Sequence, residues 1–245
     1  IYKFIADKPG TLAKGTLYVA NTNKGIWEPL TVENPKLKNK FLNQTELLIQ
    51  TREAARFAGA TPQDRPEDIE VLKDGTVLVA LTNNYPRANN HGSIFAIEEK
   101  NNNPLSLEFK SYTWLKCGPE SGMSCPDNFT LDKNGNLWVT SDISGTKMGI
   151  GTHKSYGHNG LFFIPTQGKD KGVVYQVASA PADAEFTGPA FTDDFKNLFL
   201  CVQHPGELSG PNGLTSNWPS KKPGAKPLST LVSIEGPLLE ELMKT

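Results

Sequence analysis

Cysteine is scarce, net charge is nearly absent, and no long apolar run occurs in this chain of 245 residues. The three cysteines, Cys117, Cys125 and Cys201, are too few for a disulfide framework, and their odd number leaves one unpaired within the chain. Cys117 and Cys125 flank a flexible loop that permits a small disulfide, but their spacing fits no zinc motif. Inert thiols are the expected state, with Cys201 buried between Leu200 and Val202. A formal charge of −1 and a pI near 6.5 imply neither nucleic acid nor an anionic membrane as partner. A mean hydropathy of −0.40, with no apolar run, argues against a membrane-spanning segment.

Familiar catalytic signatures are missing too. His91, His153, His158 and His204 show no H-E-x-x-H spacing and read as loop residues, with only His204 placed where a ligand role is arguable. There is no G-x-S-x-G elbow, no Walker loop and no G-x-G-x-x-G before a helix, so covalent serine catalysis and nucleotide folds lack support. The chain begins at Ile1 inside a strand-like run without a signal-peptide pattern, and is expected to be the C-terminal part of a longer protein.

What the chain does contain is turn residues, 22 Gly and 18 Pro, and a repeat of about 60 residues. Pro66 to Val79 matches Pro126 to Val139, and Thr187 to Leu200 follows the same pattern with a looser turn. Each copy reads as strand, turn, strand, and Asp74-Gly75 and Asn134-Gly135 are strong hairpin signals because such turns need positive φ. Further strands are expected at Ser93–Ile97, Leu161–Ile164 and Thr230–Ile234, outer ones at Ser106–Phe109 and Val173–Val177, and earlier ones at Ile1–Ile5 and Gly15–Asn21. From Asn43 to Phe57 the apolar residues follow one helical stripe, with Asn43 or Thr45 as cap and Gly59 as stop. The expected fold is all-β: a single domain over 1–245, a β-propeller fragment of about four blades, some incomplete, with one inter-blade helix.

In such a repeat, the start of the first strand and the end of the second converge on one mouth. Strand starts supply Arg65, Glu67 and Asp68, then Asp127 and Asn128, then Glu185. Strand ends supply Asn21, Asn23, Thr82, Asn83, Asn84, Asp142, Gln203, His204 and Glu207. Asn and Asp also end strands for conformational reasons, a reading that covers the asparagines best. Glu67 and Glu207 have no turn propensity to explain them and stand as candidate ligands, and hard oxygen donors of this kind suit Ca²⁺, Mg²⁺ or a ferric ion. At the head of the first repeat, Pro66 should hold Arg65 extended, so that Arg65 and Glu67 share a face and can take an oxyanion and a cation side by side. A surface ion pair is the plainer reading of the same two residues.

Several of these motifs together resemble one family. Asp-Arg-Pro-Glu-Asp-Ile at 64–69, Gly-Thr-Leu-Tyr-Val-Ala at 15–20, Leu-Thr-Asn-Asn at 81–84, Phe-Thr-Gly-Pro at 186–189 and Gln-His-Pro-Gly-Glu at 203–207 are similar, in order and content, to the PhoX-type alkaline phosphatases. The resemblance implies a six-bladed propeller, periplasmic or secreted, with calcium and iron at a phosphatase centre that acts on small-molecule phosphomonoesters. By the same resemblance Arg65 is a catalytic and phosphate-binding arginine, Glu67 and Glu207 are metal ligands, and Asp127 (metal) and Asn128 (substrate) are weaker carry-overs. An iron-ligating cysteine and several acidic ligands of the family fall outside this chain, so the fragment alone is expected to be inactive. Two other readings stay open: a calcium-dependent lactonase or esterase-type propeller hydrolase, and a non-catalytic propeller binding module.

Overall fold

Gly75 and Gly135 take a left-handed backbone at hairpin turns, as Phe195 does in the third copy of the repeat, and the strands form four antiparallel sheets. The computed structural model describes residues 1–244. The chain groups into two compact units.

The first unit comprises residues 1–63, 74–76 and 97–112. It holds β1 (Tyr2–Ala6), β2 (Gly15–Asn21) and β3 (Ile26–Pro29), paired in sequence order with Phe4 opposite Leu17 and Val19 opposite Glu28. The expected single helix is two, α1 (Gln44–Ile49) and α2 (Thr51–Ala58). Gln50 leaves the helical region at φ −95°, ψ 38°, and the Thr51 hydroxyl donates to the Leu48 carbonyl, closing the first helix on itself. Asn43 caps α1 by accepting from the Glu46 N–H at 3.0 Å, and Gly59 ends α2 at φ 94°. Leu47, Ala54, Ala55 and Ala58 bury their side chains with Val19, Leu30 and Leu37, so the helices pack on their own unit's sheet. Leu48, one of the apolar residues of the expected helical stripe, is 42% exposed.

A buried ion pair ties this unit together. Lys3 Nζ donates to Glu99 Oε1 at 2.7 Å and to the Ser106 carbonyl at 2.7 Å, and Trp27 Nε1 donates to the same carboxylate at 3.2 Å. Lys3 and Glu99 are 13% and 8% exposed, so removing one partner strands the other in a poor solvent.

The second unit comprises residues 64–73, 77–96 and those from Thr113 onward. Its first sheet orders β4 (Pro66–Val71), β5 (Val77–Leu81), β6 (Ser93–Glu99) and β7 (Phe109–Lys116). Residues 97–112, which end β6 and begin β7, group with the first unit. The second sheet holds β8 (Pro126–Leu131), β9 (Leu137–Ser141), β10 (Gly160–Ile164) and β11 (Tyr175–Ser179), and the third β12 (Glu185–Phe191), β13 (Asn197–Gln203) and β14 (Thr230–Glu235), followed by α3 (Pro237–Leu242). The inner strands β4, β8 and β12 lie side by side, as in successive propeller blades. Two sheets have four strands and two have three, matching the expected complete and incomplete blades. The outer strands start later than expected, at Phe109 and Tyr175.

Burial follows from this stacking. Every residue of β9 and β10 is buried, because Leu137, Val139, Phe162 and Ile164 face the first sheet's core while Trp138, Leu161 and Phe163 face the third's. On β13 burial alternates, with Leu198, Leu200 and Val202 inward. Cys201 therefore points outward and is exposed, not buried between its neighbours. Cys117 and Cys125 are buried and free. No helix among the described residues is long and apolar enough to cross a membrane.

Glu99→Ala is expected to cost about 3–5 kcal/mol in denaturant unfolding, because it leaves the Lys3 ammonium buried and unpaired, while the double variant Lys3→Met/Glu99→Leu should recover most of the loss. A single-variant cost below about 1 kcal/mol, the range of exposed pairs, would contradict that reading.

Candidate functional site

Each inner strand of the second unit carries one residue more than its partner just after its start. Pro66 pairs with Leu81 and Ile69 with Val79, Pro126 with Ser141 and Phe129 with Val139, and Thr187 with Cys201 and Ala190 with Phe199. These β-bulges fall at Glu67-Asp68, Asp127-Asn128 and Gly188-Pro189, and a bulge re-aims the side chains it carries. The residue before each proline is left-handed: Arg65 at φ 49°, Cys125 at 55° and Gly188 at 57°. The expectation that Pro66 keeps Arg65 extended is therefore wrong. Proline disfavours the right-handed helical region for its predecessor, and here the chain takes the left-handed alternative, at a cost for an arginine.

Arg65 and Glu67 nevertheless meet, through the turn and the bulge. Arg65 Nη2 donates to Glu67 Oε1 at 3.1 Å and to Asp142 Oδ2 at 3.1 Å. Asp142 is placed by its own N–H, which donates to the Cys125 carbonyl at 2.9 Å, just as Thr82 N–H donates to the Arg65 carbonyl at 3.1 Å one repeat earlier. Both Arg65 bonds use Nη2, so among the described residues the hydrogens on Nε and Nη1 remain for an oxyanion. Burial pulls the Arg65 pKa down, but Asp142 and Glu67 outweigh it and the net shift is upward.

Around this guanidinium the charge is one-sided. Asp127 is buried, and its carboxyl is pushed up to about 7 by burial first, then by Asp142 and Glu67, with Arg65 opposing. Glu185, also buried, is raised by burial and then by Asp142 against it, with Asp127 and Glu207 adding. Gln203 Nε2 donates to Glu185 Oε1 at 2.5 Å, and His204 Nε2 lies 3.2 Å from the same oxygen. His204 is left-handed at φ 39°, and its Nδ1 is buried with no hydrogen-bond partner among the described residues, 3.9 Å from Glu207 Oε2. Glu207 is half-exposed.

Arg65, Glu67, Asp127 and Glu207 thus belong to one electrostatic cluster, with Asp142 and Glu185, which the repeat had set at the mouth without a role, as its two further buried or half-buried acids. Asn128 is nearby but committed: its Oδ1 accepts from Gly188 N–H at 2.9 Å, and its own N–H donates to Thr140 Oγ1 at 3.1 Å. Asn84 is also structural, donating to Asp64 Oδ1 at 2.6 Å, and Asn83 Nδ2 lies 3.5 Å from Cys125 Sγ. Asn21 and Asn23 belong to the first unit, where Asn21 Oδ1 accepts from Lys24 N–H at 3.2 Å. A hollow of about 460 Å³ in the first unit, lined by Lys24, Ile26, Glu98 and Phe109, has no comparable convergence of one charge.

Among the described residues no three His, Cys, Asp or Glu side chains are set as a ready ligand group for a metal ion. The donor chemistry does fit a hard cation: buried carboxylates raise one another's pKa, and one arginine does not offset them.

The family model of alkaline phosphatase PhoX matches residues 1–206. The chain belongs to the PhoX family. A solved structure of Pseudomonas fluorescens PhoX in complex with vanadate, a transition state analogue, superposes with a TM-score of 0.80 at 26% identity, covering 96% of this chain and 48% of that one. The chain thus spans about half the length of that PhoX structure. A search of curated proteins finds no match. The all-β, propeller-type reading of the sequence agrees with this PhoX neighbour.

Sequence reasoning missed the parts that position the site rather than form it. Asp64, inside the 64–69 motif, anchors a neighbouring loop, and His153, expected as a plain loop residue, is 1% exposed within a hydrogen-bonded network. The signal for Asp64 was its place next to Arg65; for His153 there was none.

Asp127 protonates near 7 in the folded chain against 3.8 for an ordinary aspartate, so between those values the folded state binds the more protons and stability falls as pH rises. In chelator, the wild-type melting temperature should drop from pH 4 to 7 more steeply than that of Asp127→Asn, and the variant should melt higher at pH 7.5, by about 2–4 °C per kcal/mol recovered. Parallel melting profiles for the two proteins would contradict this assignment.

Proposed function

We propose that the chain forms one wall of a metal-dependent phosphomonoester hydrolase whose remaining groups lie in the rest of a longer protein. The observation that carries the reading is Arg65 held between Glu67 and Asp142 at the edge of a carboxylate cluster, in a chain whose family is PhoX. That the solved PhoX is bound to vanadate, a transition state analogue, supports a phosphate ester as substrate.

In this reading Arg65 binds phosphoryl oxygens through Nε and Nη1 and holds the charge that spreads over them in the transition state. Glu67 and Asp142 fix the guanidinium and keep it ionised. Glu67, Asp127 and Glu207, with Glu185 behind them, would hold hard cations, calcium and iron by the family resemblance. Held by these carboxylates, such ions would offset their charge and would supply Lewis acidity to the phosphoryl group. Asn128 contributes by holding β12 against β8. In this reading the substrates are small phosphomonoesters and, from the family resemblance alone, the full-length protein works in the periplasm or outside the cell, which fractionation tests.

In the full-length protein, Arg65→Ala should lower kcat/KM for p-nitrophenyl phosphate about 10²–10³-fold, mainly by weaker phosphate binding, with metal content retained. Glu67→Gln should lose both bound metal and activity, measured by elemental analysis beside the assay. Near-normal activity and metal content in Glu67→Gln would sink the proposal, as would hydrolysis of lactones or carboxylic esters in preference to phosphate esters.

A further inference from the structure

Asp64 has no place in the chemistry above, yet it is the best-connected carboxylate near Arg65. It accepts from Asn84 Nδ2 at 2.6 Å, from Asn89 Nδ2 at 3.0 Å and from Arg87 Nη1 at 3.4 Å. Those three residues frame a short 3₁₀ turn, Tyr85–Arg87, in which Asn84 Oδ1 also accepts from Arg87 N–H. The loop is thereby fastened to the residue next to Arg65, and what it presents is Tyr85, 37% exposed.

The phenol is held at its far side by a buried chain. Tyr85 Oη lies 3.3 Å from His153 Nε2, His153 Nδ1 lies 3.2 Å from Ser124 Oγ, and Ser124 Oγ lies 2.9 Å from His91 Nδ1. His153 and Ser124 are each 1% exposed. Burial lowers the pKa of both imidazoles, with His91 and Lys147 adding to the effect at His153, so each ring is neutral near pH 7 and carries one N–H. Burial also raises the Tyr85 phenol, with Cys125 and Asp142 adding and Arg65 opposing, so it keeps its proton. The Lys147 ammonium sits 5.7 Å from the Tyr85 ring centroid, so a cation flanks the ring.

We propose that Tyr85 contacts the substrate of the phosphatase site, donating its phenol hydrogen to a phosphoryl oxygen beside Arg65, and that His153, Ser124 and His91 are positioning residues that set the direction of this donor. The hydrogen-bond order follows. For Tyr85 to donate outward, His153 donates from Nε2 to the phenol oxygen, its Nδ1 accepts from the Ser124 hydroxyl, and the Ser124 oxygen accepts from His91 Nδ1–H. Tyr85, His153 and Ser124 then each give one hydrogen and take one, and His91 gives one. The inference rests on the phosphatase reading of Arg65, but on different residues and contacts.

The test is competitive inhibition of p-nitrophenyl phosphate hydrolysis by inorganic phosphate, in the full-length protein. Tyr85→Phe keeps the ring and removes the donor, and should raise the phosphate inhibition constant about 10- to 100-fold, the range for a hydrogen bond to a charged group. Ser124→Ala should raise it several-fold in the wild-type background and not at all in Tyr85→Phe, because it acts only through the phenol. Where Ser124→Ala does not fold, His91→Ala tests the same coupling. An active protein whose Tyr85→Phe variant keeps its phosphate affinity overturns this inference alone, as does an equal effect of Ser124→Ala in both backgrounds. A wild type inert toward phosphate esters overturns the phosphatase reading and this one with it.

Discussion

Asp68 and Asn128 occupy the same position in successive repeats, and each accepts a hydrogen bond from a backbone N–H of the next inner strand, Phe129 at 2.8 Å and Gly188 at 2.9 Å. The bulge beside each of them breaks the ladder and frees backbone donors that the sheet no longer pairs. A short polar side chain from the neighbouring strand satisfies one such donor, so the irregularity that aims Glu67 and Asp127 into the cluster also joins the strands that carry them. Packing and site geometry meet at those two bonds.

The cluster itself works against stability. Burial and mutual repulsion hold Asp127 and Glu185 above the usual carboxylate range, and the Arg65 guanidinium bonds directly to Glu67 and Asp142 instead. Left-handed Arg65 and His204 add backbone strain at the same edge. Such a region persists because β9 and β10 behind it are buried on both faces, between Leu78, Ala80 and Ile94 on one side and Ala184, Leu198 and Leu200 on the other.

Much of this architecture was legible in the sequence because repetition carries its own register. Aligning Pro66 with Pro126 and Thr187 located the hairpins and the third strands, and set Arg65, Glu67, Asp127 and Glu207 toward one end of the blades. What could not be read was anything decided between repeats or off the repeat. The left-handed turn before each proline depends on the bulge, the outward face of Cys201 depends on which neighbours Leu200 and Val202 find, and the break at Gln50 depends on a side chain closing a helix end. The contact of Tyr85 with His153 joins residues 68 positions apart with no motif in common.

Asp64 shows a further side of this design. With three donors drawn onto one carboxylate, the loop from Asn84 to Asn89 has its shape before any ligand arrives. Ordering that segment is then part of folding and is not charged against association, which favours affinity for ligands that match the preset wall. The same rigidity removes the option of closing around a poor fit. Whatever meets this edge meets a shape fixed by the folding of six residues, from Asn84 to Asn89.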